Sequence, residues 1–222
     1  MRKNLFIMLC IVFLVSASSD ANQTSVEKTE ASPAMQAFME VLKNNTGFYM
    51  CKTSYVGDQA VRGYQGKHTL LRELLSDESD SDYAGRAVEQ FAVVDMDGSG
   101  VPEVVIELSR DGERIVFHNR NDWIFGFGFS YRGMNELKKD GTFSGSSGAD
   151  SSSIGKLEFL TNECKERVLA YSDDDKYYVN DKQVSEETFD SLFSKHWEKE
   201  DADWHPYSAE TFEADFISAW NK

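Results

Sequence analysis

Asp95, Asp97, Ser99 and Glu103 stand at odd-numbered positions of one acidic stretch, with Gly100 and Val101 between them. A loop that curls round a hard cation offers oxygen from about every second residue, one of them a backbone carbonyl, and uses a glycine where it bends. The spacing predicts a calcium site made by Asp95, Asp97, Ser99, the carbonyl of Val101 and Glu103. The flanking runs Phe91–Val94 and Val104–Leu108 are apolar, so the loop joins two strands as a hairpin. Three carboxylates gathered with no Lys or Arg in the loop repel one another, which favours an ion among them. The plain alternative is a turn, because Asp and Gly are what turns use. With this donor set, affinity falls in the range of about 10⁻⁴ to 10⁻³ M found for extracellular modules.

Numbered from Asp95, the loop follows an EF-hand through nine positions, including glycine at the sixth. Position twelve is then Ile106, where that motif needs glutamate, and the flanks read as strands instead of helices. Residues 91–108 more closely resemble the Asp-x-Asp-Gly-x-Gly loops of FG-GAP and VCBS-type repeats in integrins and bacterial surface proteins. That resemblance implies calcium on the same five residues. The chain departs from it at Ser99, where the repeats carry an acid, and in holding a single copy. More loosely, the whole chain looks like secreted bacterial proteins that carry this hairpin in a small α+β domain, a likeness that brings no activity with it.

Other chemistry finds little support. His68, His118, His196 and His205 are scattered, without the clustering zinc needs. Ser153-Ile-Gly-Lys156 lacks the companion motifs of a serine nucleophile. No nucleophile, base or cofactor motif emerges, so the chain reads as a non-enzyme. Cys51 and Cys164, the pair left after export, permit one disulfide, although distant spacing does not show that they meet.

The first residues set the compartment. Met1-Arg-Lys-Asn, an eleven-residue apolar run from Leu5 to Val15, and the small residues after it predict a secretory signal peptide over 1–21, cut after Ala17 or Ala21. The mature protein then lies outside the cytoplasm, in the periplasm or at the cell surface, with no membrane span. Losing Arg2, Lys3 and Asp20 moves the formal charge from −15 to −16, which disfavours nucleic acid and anionic lipid.

Residues 22–32 form a polar leader, and one α+β domain spans 33–222. Ser32 and Pro33 start a helix with Met35, Phe38, Met39 and Leu42 on one face. Ser185 and Ser208 are expected to cap two closing helices, with Val184/Phe189 and Tyr207/Phe212 as staples. The expected sheet is a mostly antiparallel meander, with the N- and C-terminal helices packed on it. Its strand 123–131 puts Trp123, Phe125, Phe127, Phe129 and Tyr131 on one face, which the helices are expected to cover. Small residues line its other face. Left open, that aromatic row would instead bind carbohydrate or peptidoglycan. The Ser- and Gly-rich stretch 133–155 reads as a flexible loop. Two further partners stay open: an unknown protein or glycan at the cell surface, or a basic protein inhibited by an acidic, immunity-type molecule.

Overall fold

The structure is a computed structural model that describes residues 32–53, 66–76, 85–110, 112–148, 150–160 and 163–222. The expected signal peptide with its cleavage site and the leader to residue 31 lie outside the described residues.

The elements begin with α1 (Pro33–Leu42), β1 (Phe48–Met50), β2 (Lys52–Thr53), β3 (His68–Thr69) and α2 (Leu71–Ser76). Then come β4 (Val88–Val94), β5 (Glu103–Leu108), β6 (Arg114–Arg120), β7 (Trp123–Phe129), β8 (Thr142–Gly148) and β9 (Ser151–Phe159). The chain continues through β10 (Glu163–Asp173), β11 (Lys176–Val179), β12 (Lys182–Val184), α3 (Glu186–Trp197), β13 (Trp204–Pro206) and α4 (Phe212–Trp220).

These strands form two sheets, an α+β arrangement. One runs β13-β4-β5-β6-β7-β1-β3; the other runs β12-β11-β10-β9-β8, with β2 also beside β10. Among the described residues the pairings are antiparallel except β1 with β7 and β2 with β10. The short segment Phe48–Thr53 therefore passes from one sheet to the other.

Strand β5 shows how the layers are set. Side chains alternate across a strand, so Val104, Ile106 and Leu108 enter one apolar cluster and Val105 enters another. The first cluster joins Phe38 and Leu42 of α1 and Phe212 and Phe216 of α4 to the seven-stranded sheet. The second lies between the sheets, where Val105, Val116, Phe127 and Phe129 meet Phe143 and Leu157. A third holds Phe189 and Phe193 of α3 against Ile154 and Ala170. Ser32 caps α1 by accepting the Met35 N–H (3.2 Å), and Ser185 caps α3 by accepting that of Thr188 (3.3 Å).

Four expectations need correcting. The aromatic face of β7 is covered by the second sheet, not by helices: Phe127 and Phe129 are closed to water and Phe125 is half-buried, while Trp123 and Tyr131 remain exposed. The row is therefore no open platform. Helix α1 lies on the small-residue side, and there Phe48 packs so tightly on Gly126 that a Cβ would sit 2.8 Å from its ring.

Residues 133–155 are not one loop, because they hold β8 and the start of β9. Their many Ser and Gly residues hide the alternation, and within these strand segments Phe143 and Ile154 are the large apolar side chains that reach buried positions. Helix α4 starts at Phe212, not after Ser208, whose carbonyl accepts the Thr211 and Phe212 N–H groups in a preceding turn.

Finally, no disulfide joins Cys51 and Cys164, which lie buried in the inter-sheet cluster. Burial pushes the Cys51 thiol up to about 11. Burial raises Cys164 too, helped by Glu166, Glu103 and Cys51, so both thiols stay protonated at neutral pH. No described helix is long and apolar enough to cross a membrane.

Candidate metal centre

The 95–103 loop joins β4 to β5, whose register pairs Val94 with Glu103. Gly98 and Gly100 carry φ values of +80° and +83°, a backbone region that glycine enters without strain. Asp95 organises the turn. Its Oδ1 accepts the N–H groups of Gly98 (2.9 Å) and Ser99 (3.0 Å), and its Oδ2 accepts that of Gly100 (3.0 Å). Asp97 Oδ1 accepts the Ser99 N–H (2.9 Å). The Ser99 hydroxyl donates to the Val101 carbonyl (3.2 Å) and accepts the Val101 N–H (3.2 Å), so these two expected ligands are bonded to each other.

Glu103 differs from its neighbours because it points into the protein and is 1% exposed. Its Oε2 accepts the Met96 N–H (2.8 Å), and its Oε1 lies 2.9 Å from His118 Nδ1. Register supplies that histidine: Val104 pairs with Phe117, which sets Glu103 across from His118 on the same face. The imidazole stacks on Phe159 of the other sheet at 4.2 Å and 3°. Burial pushes the Glu103 carboxyl above its ordinary value, while the bonds from His118 and Met96 pull it partly back.

One ligand atom each from Asp97, Glu103 and His118 lies within 4.8 Å of the others, close enough to hold a metal ion. Of the three carboxylates expected from the sequence, Asp97 and Glu103 belong to this group and Asp95 does not. The missed member is His118. Counting histidines along the chain conceals it, and the signal that exposes it is the register of β5 with β6.

The expected carboxylate repulsion is also softened. Asp95 and Asp97 face loop N–H groups, and Glu103 faces one N–H and an imidazole. Calcium favours all-oxygen shells, whereas two carboxylates and an imidazole also suit zinc or manganese. No protein-family model, curated protein or solved structure matches the chain.

Proposed function

We propose that this is an exported binding or structural module whose β4–β5 loop takes a divalent cation that staples the hairpin. The observation that carries the reading is the convergence of Asp97, Glu103 and His118 within 4.8 Å at the mouth of the loop. An ion there links the exposed loop to the layer between the sheets, because Asp97 is exposed and Glu103 is buried. Its role is structural: it holds two neighbouring strands and leaves recognition to other surfaces.

Two ions fit different subsets. Calcium fits the oxygen set Asp95, Asp97, Ser99, Val101 carbonyl and Glu103. A transition ion fits Asp97, Glu103 and His118, and the position of His118 favours this second reading.

Equilibrium dialysis against calcium, zinc and manganese tests both. One ion per chain is expected, lost in Asp97→Asn. His118→Ala should abolish zinc or manganese binding yet spare calcium. Absence of all three ions at about 10 mM total metal would end the proposal, since that exceeds the weakest extracellular calcium sites roughly tenfold. Export is tested separately by sequencing the N-terminus of the mature protein, where a start at Ser18 or Asn22 is expected.

A further inference from the structure

The six-stranded sheet carries a second site candidate on the face it shares with the inter-sheet cluster. Tyr171 pairs with Ser153 and Glu166 pairs with Leu157. Leu157 belongs to the cluster, whereas Ser153 and Tyr171 lie further along the strands and line an open cavity of about 470 Å³. Its wall includes Ser151, Ser153, Ser172, Glu166, Val168 and Tyr171. The register of β10 shifts between Val168 and Ala170, a bulge of the kind that re-aims side chains beside sites.

The cavity has three features in one place. First, Gly155 makes room for Glu166: a Cβ there would lie 2.5 Å from Glu166 Oε1 and 3.0 Å from Phe143 Cζ. The carboxyl thus rests across bare backbone. Burial pushes it up to about 7, and among the described residues no hydrogen bond or ion pair engages it. Second, hydroxyls that both donate and accept line the wall. Ser172 Oγ accepts the Ser152 N–H (3.0 Å) and sits 3.1 Å from Ser152 Oγ, which holds that part of the wall in place. Third, Tyr171 is stacked on Tyr178 at 4.7 Å and 12°, which backs one face of the Tyr171 ring.

Two more acids border the cavity, and turn geometry accounts for one of them. Asn180 and Asp181 both have positive φ, as a two-residue hairpin turn requires. Asp173 ends β10, and both it and Asp181 are exposed to water. The inner wall is therefore hydroxyl-rich and partly aromatic, with Glu166 as its one carboxyl. No Lys or Arg lines it, so an anion would find no counter-charge there.

We propose that the cavity walled by Ser151, Ser153, Glu166 and Tyr171 binds a neutral saccharide, one ring stacking on Tyr171 and its hydroxyls bonding the serines and Glu166. Neutral sugars present donors and acceptors around an apolar ring face, which matches this lining. The site lies on a different sheet from the 95–103 loop and does not depend on an ion there.

Calorimetric titration of the full chain with maltotriose, cellotriose and chitotriose, each to about 10 mM, tests it. At least one should bind saturably. Tyr171→Ala should weaken that binding at least tenfold, the loss of one stacked ring, while Trp123→Ala leaves it unchanged. Should Tyr171→Ala fail to fold by circular dichroism, Glu166→Leu keeps bulk, removes the polar group, and carries the same tenfold expectation. Failure of all three sugars to bind would overturn the proposal. So would binding that Trp123→Ala abolishes, or spermidine displacing the sugar at equal concentration, which would mark a cation site.

Discussion

Two glutamates, one in each sheet, are both largely removed from water and meet opposite surroundings. Glu103 on β5 is engaged by the Met96 N–H and His118, so its burial is matched by partners. Glu166 on β10 has burial as the cause of its shift and no bond from the described residues. A buried carboxyl with partners ties structure together. One without partners holds a proton near neutrality and is available to a ligand.

Replacing each glutamate should separate these roles most sharply. Glu103→Ala leaves Met96 N–H and His118 without their acceptor, and breaking such a buried pair costs about 3–5 kcal/mol. For a domain of this size the melting midpoint should fall by about 10 °C. Glu166→Gln removes no bond, so it should stay within about 0.5 kcal/mol of the parent near pH 4.5, where the parent carboxyl is protonated, and be more stable than the parent by about 2 kcal/mol at pH 7. Equal losses in the two variants would erase the distinction.

The pH dependence of stability comes next in size. Glu166 rises from 4.5 to about 7 on folding, so the folded chain keeps a proton that the unfolded chain has released. That contribution is complete below about pH 4.5, is lost as pH rises to about 7, and is constant above. Urea midpoints should record a fall of about 2 kcal/mol across this window, somewhat less than the full shift because the group keeps some contact with solvent. Glu103 is shifted in the same direction, so Glu166→Gln should remove part of the decline, not all of it. A pH profile unchanged by the substitution would contradict the account of Glu166.

A smaller effect is expected in the loop itself. Gly100→Ala has nothing within 4 Å to clash with, so its cost is the positive φ alone, about 1–2 kcal/mol by chemical denaturation. Asp97→Asn should change stability by only a few tenths of a kcal/mol in chelator, because Asp97 is exposed and accepts one loop N–H. Its effect should appear only when a metal ion is present.

These residues also show what a one-dimensional reading can reach. The 91–108 hairpin, the Ser32 and Ser185 caps and the inward faces of α1 and α3 follow from local patterns, and local patterns are what sequence displays. His118 escapes a local pattern because its partner is fifteen residues away and only strand register brings the two together. The second sheet is hard to read because β8 and the start of β9 are mostly Ser and Gly, which give no apolar period. The aromatic row of β7 was visible, yet nothing local shows whether a helix or a sheet will cover it. Glu166 has no motif around it, since its setting depends on a glycine in the neighbouring strand.

The ion is the hinge of the contrast, because it would give Glu103 a further partner that Glu166 lacks. Thermal melting in about 10 mM calcium, in zinc and in excess chelator measures this directly. With a dissociation constant of about 1 mM, the bound ion adds about 1.4 kcal/mol, which raises the midpoint by roughly 3–5 °C. The account predicts that rise with one of the ions in the parent protein and its disappearance in Asp97→Asn. Midpoints that coincide in metal and in chelator would contradict it.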